Sequence, residues 1–230
     1  MMAPLGELSS LYAACTPPNT VLSAYFNNVS YVSQKTPTLY TALTAGKDAE
    51  DPEVYGHVNP FVIKKDEIIE VTLNNLAPSH HPFHLHGHHF QVLSRGSPGG
   101  GAVEARDEVL ASVPMRRDTV SVNGLGSTVI RFKADNPGVW LLHCHIEWHM
   151  PLGMVTTFIE EPRELQRSVR KIPSEQLEIC EAQGLSTEGN AAGNTKDLSD
   201  LRGAASASHI PSKGLVALVC VFLSWSWLTV

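Results

Sequence analysis

The chain has 230 residues, of which 43% are hydrophobic, and a formal net charge of −6 at pH 7. This length allows one packed domain with appendages or two small domains. Nucleic-acid binders neutralise phosphates with a positive field from Lys and Arg. A chain with net negative charge lacks such a field, so no nucleic-acid partner is expected. The four cysteines include no CxxC pair, and they predict neither a zinc ribbon nor a dense disulfide framework.

Residues 1–24 are predicted to form an irregular N-terminal segment. They contain a mild apolar run, but no basic region followed by a sustained apolar core and a small-residue cleavage site, so they do not resemble a signal peptide. Asn28-Val29-Ser30 is a glycosylation acceptor whose use would require secretion. A triplet of this form is common by chance, and the glycosylated and unmodified states both stay open.

From Val62 onward, short segments rich in β-branched residues alternate with Pro, Gly and Asn. No run of ten or more residues between these segments has clean helical periodicity. The pattern therefore predicts an all-β fold, a Greek-key β-sandwich over residues 25–165. The predicted strands include Ile68 to Leu73, Thr119 to Val122, Ser127 to Phe132 and Met154 to Ile159.

The composition changes after Glu161-Pro162. Residues 166–213 are predicted as a polar extension and linker, mostly irregular, with one short helix near Ser174 to Ala182. Residues 214–230 form an almost uninterrupted apolar tail, at the short limit for a transmembrane helix. Small residues and a spacer before the tail also fit a GPI-attachment signal, and a buried core element is a third alternative. We predict membrane attachment, of either kind.

Nine of the histidines lie in two short windows, 80–89 and 143–149. In an extended segment, residues two apart share one face of the strand. His84 and His86 can therefore bind at one metal site, and so can His143 and His145. Cys144 must then point to the opposite face. One strand could thus place a thiolate on one copper ion and two imidazoles on another cluster, with a short covalent path for electrons between them.

His81 and His149 are left to complete the site of Cys144. Two imidazoles and one thiolate with a long axial thioether form the blue-copper arrangement, and Met154 is suitably spaced for the axial role. A zinc site needs only four ligands and would leave three or more of these groups unused. Alternatively, Cys144 is a simple core residue. The remaining histidines are interpreted as surface or hydrogen-bonded residues: His57, His80, His88, His89 and His209.

Two motifs, HPFHLHGH at 81–88 and HCHIEWH at 143–149, resemble the C-terminal copper signatures of the multicopper oxidases. The similarity runs from about Asn27 to the C-terminal tail. Three further segments are similar to the fungal iron-transport multicopper oxidases, the cell-surface ferroxidases of high-affinity iron uptake: 115–119, 131–140 and 186–192.

The resemblance implies a cupredoxin fold and four copper ions in a complete protein. It implies that electrons taken singly from a reductant at type 1 copper pass through Cys144 to a trinuclear cluster, where dioxygen is reduced to water. Glu147 is a candidate proton donor, and a surface salt-bridging role is the alternative. The implied ligands are His81, Cys144 and His149 for type 1 copper, His84 for type 2, and His86, His143 and His145 for the type 3 pair.

The resemblance also implies a location and partners. The expected location is the cell surface, with the copper domain extracellular and anchored at the plasma membrane, and the expected partner is an iron permease. The family has three cupredoxin domains, and two HxH motifs of the N-terminal domain supply the other four trinuclear ligands. No such motif precedes residue 80 here. We therefore expect the chain to be the C-terminal third of a longer oxidase, most simply a truncated gene model. The alternative is a single domain completed by another chain.

Two further differences from the family concern the reductant and the reduction potential of type 1 copper. Iron-oxidising members usually carry an acidic residue shortly before the His81 position, whereas residues 76–80 contain Ala77 and no carboxylate. A laccase-like phenol or pigment-precursor oxidase is therefore an alternative, as is a non-enzymatic type 1 copper protein.

Met154 stands where many relatives have Leu or Phe, which predicts a lower type 1 potential than with Leu. Cys180 is expected to pair with a cysteine outside the chain or to be a free thiol.

Overall fold

The computed structural model describes residues 9–15, 24–103, 111–169 and 171–204. Within 9–15 it describes the backbone and, of the side chains, Ala13 alone, so the Cys15 side chain lies outside it. The predicted apolar tail at 214–230 also lies outside the described residues. Among the residues that are described, no helix is both long enough and apolar enough to cross a membrane.

The described part of the chain folds into two packed β-sheets. One sheet has six strands in the order β2-β1-β4-β9-β6-β7, and the other has five in the order β3-β11-β10-β5-β8. The strands are β1 (Ser9–Cys15), β2 (Ala24–Phe26), β3 (Pro60–Ile63), β4 (Ile68–Asn75), β5 (His81–Leu85), β6 (Phe90–Arg95), β7 (Met115–Arg117), β8 (Thr119–Val122), β9 (Ser127–Lys133), β10 (Gly138–Cys144) and β11 (Val155–Glu160).

The main hydrophobic core lies between the two sheets. Alternate residues of β4, β5, β9 and β10 face inward, because successive side chains of a strand point to opposite faces. Burial of this apolar surface is the largest favourable contribution to folding. The inward side chains include Val71, Leu73, Phe83, Leu85, Ile130 and Leu142.

Short helices lie beside the five-stranded sheet, and some of them cover one end of its outer face. The helices are α1 (Thr38–Thr44), α2 (Pro162–Ser168) and α3 (Ser174–Ala182), with two 3₁₀ helices at Gly46–Glu50 and Pro52–Tyr55. Ala42 of α1 and Leu165 of α2 pack with Ile159 of β11, and Val139 of β10 contacts the same cluster. The other end of this outer face remains uncovered by these helices. It is there that β10 reaches His143.

The predicted sandwich and its four predicted strands are confirmed to within two residues at each end. The prediction of an irregular segment over 1–24 is wrong for Ser9–Cys15, which pairs in parallel with β4. Its sequence is rich in small residues and carries little local strand preference. The pairing with a strand about 60 residues away therefore decides its conformation.

The C-terminal extension is mostly irregular, as predicted, and its helix at Ser174–Ala182 is confirmed. The described residues after this helix are packed rather than a free linker. Ala191 is buried, and its carbonyl accepts a hydrogen bond from the backbone N–H of Thr36. The buried Asn190 side chain accepts from the backbone N–H groups of Ala192 and Asn194. These local hydrogen bonds let a polar segment pack without an apolar pattern that the sequence could reveal.

Candidate metal centre

The site is built on the antiparallel pairing of β5 with β10. In this register His84 lies opposite His143, and Phe83 lies opposite Cys144. Residues directly opposite each other share one face of the sheet, and the next pair faces the other way. Cys144 therefore points into the core, while His84 and His143 point to the outer face, as the alternation in the sequence predicts.

The first group of donors, here called the inner site, consists of His81, Cys144 and His149. The Cys144 Sγ lies 3.5 Å from His81 Nδ1 and 3.4 Å from His149 Nδ1. The three donor atoms all lie within 4.8 Å of one another. Two donors bound about 2.0–2.3 Å from one ion at trigonal angles are about 3.7 Å apart, so these separations fit a single metal ion.

A short turn after β10 delivers His149 to the inner site. The backbone N–H of His149 donates to the Ile146 carbonyl, and that of Met154 donates to the His149 carbonyl. The Cys144 N–H in turn donates to the Met154 carbonyl at 3.1 Å. Met154 is fully buried in the same apolar cluster as Cys144. The turn therefore keeps the thioether residue beside the thiol, and the axial role of Met154 remains a prediction.

The inner site has the environment of a soft-metal site. His81 and Cys144 are 0% exposed, and Phe83 and Met154 belong to the same buried cluster. Burial, with a smaller contribution from the neighbouring His149, lowers the pKa of His81 to about 4. Burial also lowers the pKa of His149. Both imidazoles are therefore neutral at pH 7, the form that binds a metal ion, and with a thiolate they form a donor set suited to copper.

The second ring nitrogen of His81, the one that does not face Cys144, lies next to Ser79. The Ser79 Oγ lies 3.1 Å from His81 Nε2. A hydrogen bond at the second ring nitrogen fixes the orientation and tautomer of a metal-binding imidazole. Ser79 was not predicted from the sequence, because a lone Ser two residues before a histidine carries no specific signal.

The second group, here called the outer site, consists of His84, His86, His143 and His145. The ring centroid of His84 lies 5.0 Å from that of His86 and 5.7 Å from that of His143. The His86 and His143 Nε2 atoms are 3.1 Å apart. His145 is exposed and stacks on His143 at 5.7 Å. Four imidazoles thus converge at the outer face of the five-stranded sheet, where His143 is buried, His84 and His86 are half-buried and His145 is exposed.

Two imidazoles of the outer site are held by hydrogen bonds at Nδ1. The His84 Nδ1 lies 2.9 Å from the Asp118 carbonyl and 3.1 Å from the Thr119 hydroxyl. The His143 Nδ1 lies 3.0 Å from the Cys144 carbonyl. Burial, followed by neighbouring histidines, lowers the pKa of His86. Burial lowers the pKa of His143 against the opposing effect of the hydrogen bond to Cys144.

The structure thus divides the predicted ligands between two groups on opposite faces of the β5–β10 pair. Glu147 is exposed, and none of the described residues forms a hydrogen bond or ion pair with its side chain. His57, His80 and His89 are exposed and outside both groups. His88 is buried and lies 2.9 Å from the buried Glu160. His88 is thus a hydrogen-bonded residue, one of the two interpretations made from the sequence, but its partner was not predicted, since the two residues are 72 positions apart.

Comparisons with known proteins give the family. Residues 31–164 match the family model described as multicopper oxidase. The chain is 50% identical over 206 residues to the iron transport multicopper oxidase fetC of Epichloe festucae. That match covers 85% of this chain and 33% of the relative, so the chain spans about a third of the length of the curated relatives it matches.

Two solved structures are also similar. Fet3p, described as a multicopper oxidase that functions in iron import, superposes with a TM-score of 0.80 at 39% identity, covering 87% of this chain and 40% of that chain. The laccase from Botrytis aclada superposes with a TM-score of 0.59 at 26% identity, covering 77% and 32%. The sandwich is therefore cupredoxin-like, as predicted. With its two groups of copper-type donors and these matches, the chain belongs to the multicopper oxidase family.

Proposed function

We propose that this chain is the type 1 copper domain of an oxidase that couples one-electron oxidation of Fe(II) to reduction of dioxygen to water. The observation that carries the proposal is the position of Cys144. Its thiol belongs to the inner site, and its two neighbours along the chain, His143 and His145, belong to the outer site.

The two sites would hold different copper ions. His81, Cys144 and His149, with Met154 as axial residue, would hold type 1 copper. His84 would bind type 2 copper, and His86, His143 and His145 would bind the type 3 pair. Copper supplies one-electron redox chemistry when it is bound. The buried side chains of the inner site keep water away, and the hydrogen bonds to Ser79 and Thr119 orient the imidazoles.

Electrons would cross between the sites through Cys144. The route follows the Cys144 side chain to its backbone and then one peptide unit to either neighbouring histidine. The His143 Nδ1 lies 3.0 Å from the Cys144 carbonyl, which adds a hydrogen bond to the covalent route. Glu147, which is exposed and follows His145 closely in sequence, would supply protons to the oxygen-reducing side.

Fe(II) is the reductant supported by the similar proteins, since fetC is named an iron transport oxidase and Fet3p is described as functioning in iron import. A laccase-like phenol oxidase is the second candidate. It is favoured by residues 76–80, which contain Ala77 and no carboxylate before His81. A non-enzymatic type 1 copper protein is the third, because the described residues complete only the inner site.

The full activity would need the rest of an oxidase. The outer site offers four imidazoles, and four more would come from segments that the relatives have and this match does not include. A complete protein would hold four copper ions at the cell surface, attached to the plasma membrane and facing outward. An iron permease would be its partner, and Asn28, exposed in a turn, would be a glycosylation site.

The test compares two proteins. The purified 230-residue chain loaded with copper should show the intense visible absorption of a thiolate-bound copper and should consume no oxygen with Fe(II) or a phenol. The same chain joined to the N-terminal two thirds of fetC should consume oxygen. Absence of the visible band from the chain would refute the inner-site assignment, and oxygen uptake by the chain alone would refute its dependence on the missing part.

The choice of reductant needs its own comparison. In the joined protein, Fe(II) should give a higher kcat/KM than a phenol. A matched Ala77→Asp variant tests the contribution of the missing carboxylate and should increase the preference for Fe(II), because a carboxylate attracts and binds a divalent cation. A higher kcat/KM for the phenol in the unmodified joined protein would favour the laccase-like alternative.

A further inference from the structure

The turn that follows β5 carries His86 and is closely fixed in place. The His86 backbone N–H donates to the Leu141 carbonyl at 2.9 Å. Gly87 has φ +71°, and its Cα packs on the Trp140 ring so closely that a Cβ there would overlap the ring. Only glycine adopts this backbone conformation without strain. The position of the His86 imidazole therefore depends on how this turn is held.

The turn is anchored on a buried carboxylate. Glu160, near the end of β11, is 0% exposed, and its Oε2 lies 2.9 Å from His88 Nε2. Its Oε1 accepts the backbone N–H of Asn136 at 2.6 Å. His88 is itself buried and packs on the Phe132 ring at 4.9 Å. Glu160 thus joins the turn after β5 to the loop before β10.

Asn136 closes the network from the other side. Its Nδ2 donates to the Gly87 carbonyl at 3.0 Å, and its carbonyl accepts the Trp140 Nε1–H at 2.8 Å. Glu160, Asn136, Gly87 and His88 therefore form a closed ring of hydrogen bonds and peptide bonds. Such a ring restricts the turn, because moving any one member breaks more than one contact.

Burying a carboxylate is expensive, and an apolar residue of similar size is often as stable or more stable. A requirement for placing specific groups is one reason to keep such a carboxylate. The chain has a useful contrast in Glu70, a largely buried carboxylate of the other sheet, which pairs with Arg131 at 2.6 Å. Glu70 makes no contact with the histidine-bearing turn among the described hydrogen bonds and ion pairs.

We infer that Glu160 and His88 are positioning residues of the outer site, which hold the His86 imidazole at its separation from His143 through the clamped turn. The inference rests on the proposed function, because that function assigns His86 and His143 as metal ligands. Neither Glu160 nor His88 is among the ligands that the proposed function assigns. Their role is to keep the two Nε2 atoms facing one another before an ion binds.

The test measures Zn(II) affinity of the outer site in the full 230-residue chain, by competition with a chromophoric chelator. A Cys144→Ser background weakens binding at the inner site. Glu160→Leu should weaken Zn(II) binding about tenfold or more, the usual effect of removing a residue that orients a metal ligand. Glu160→Gln retains hydrogen-bonding atoms at both positions and should restore affinity to within about threefold of the parent.

Glu70→Leu is the matched control. It should lower the unfolding temperature, because it leaves Arg131 without its partner, and should leave Zn(II) affinity unchanged. A purely structural role for Glu160 predicts the same result for Glu160→Leu. Unchanged Zn(II) affinity in folded Glu160→Leu would therefore overturn the inference.

If Glu160→Leu does not fold, Asn136→Ala decides the question. This variant removes the bond to the Gly87 carbonyl and keeps the buried pair, so it should fold and lose about threefold in affinity. Affinity equal to that of the parent would overturn the inference. Failure of the proposed function looks different. In that case His86→Ala would bind Zn(II) as tightly as the parent, whatever the Glu160 variants do.

Discussion

The inner and outer sites lie on opposite faces of the same strand pair, and they differ in how completely this chain builds them. The inner site has its donor atoms together, with His81 and Cys144 fully buried. The outer site has four converging imidazoles, one of them exposed, and among the described residues no further donors join them. A buried site can be completed by one domain, since the core surrounds it. An outer face that is left open can receive a second surface, and the proposed function assigns the remaining imidazoles of the outer site to the rest of an oxidase.

The difference also shows how one strand serves two sites. Cys144 and His143 are adjacent in sequence and point to opposite faces, so a single peptide unit joins a residue of one site to a residue of the other. The core face surrounds the inner site with buried apolar side chains, and the outer face leaves the outer site accessible to solvent. Each of the following experiments changes one of the two sites.

The largest expected effect is the loss of the inner site in Cys144→Ser. A serine hydroxyl is a poor ligand for copper compared with a thiolate, so the intense visible absorption of the copper-loaded chain should vanish. Zn(II) binding at the outer site should persist, because the hydroxyl has little effect on the opposite face. Retention of the visible band would show that another donor supplies it.

The next effect is acid sensitivity of the metal-free chain. The pKa of His81 falls from its usual 6.5 to about 4 in the folded state. The unfolded state therefore binds one more proton between these pH values, and the stability that neutral His81 provides at pH 7 is lost as pH falls from 6.5 to 4. The loss should be about 3 kcal/mol. Urea unfolding across this range measures it, and a His81→Asn variant with an equally steep pH dependence would contradict the assignment.

A smaller effect is expected from Gly87→Ala, which should act on the outer site. The positive φ and the overlap with Trp140 should together lower the free energy of unfolding by about 2 kcal/mol. Gly184→Ala is the matched control, since Gly184 also has positive φ and a Cβ there would contact nothing within 4 Å. Its cost should be about 1 kcal/mol.

The same pair of glycine variants sharpens the comparison of the sites. Gly87→Ala should weaken Zn(II) binding at the outer site, because it displaces the turn that carries His86, and should leave the visible copper band of the inner site in place. Equal losses of stability in the two glycine variants, with unchanged Zn(II) binding, would show that the turn tolerates the added methyl group.

The smallest structural effect is expected from Met154→Leu. The two side chains have similar volume, so the free energy of unfolding should change by less than about 1.5 kcal/mol. Removing a coordinating thioether should raise the type 1 reduction potential, because the thioether stabilises oxidised copper relative to an empty axial position. Spectroelectrochemistry of the copper-loaded chain measures this. An unchanged potential would mean that Met154 is not an axial ligand.

Much of the candidate site follows from sequence because its key relations are local. Successive side chains of a strand point to opposite faces, which predicts that His143 and Cys144 face opposite ways, and the structure has this arrangement. The helix at Ser174–Ala182 and the strand at Ser127–Lys133 follow from equally local patterns. In contrast, the parallel strand Ser9–Cys15 was missed, because its conformation depends on pairing with β4 rather than on its own residues.

The contacts that orient the ligands could not be predicted in the same way. The bond between His88 and Glu160 spans 72 positions, and that between His84 and Thr119 spans 35. Their residues belong to types that occur everywhere on protein surfaces. No periodicity marks them, since each contact arises only when two strands come together in one register.

The sequence by itself determined the ligand types, their order and the opposite faces of His143 and Cys144, because strand geometry converts spacing directly into direction. Only the tertiary structure decided which ligands meet. It brings His81 to Cys144 across 63 positions, buries that pair in the core, and leaves the histidines of the opposite face gathered near the surface. The physical reason is that β5 and β10 pair in one register, and hydrophobic burial on one face selects that register over its neighbours.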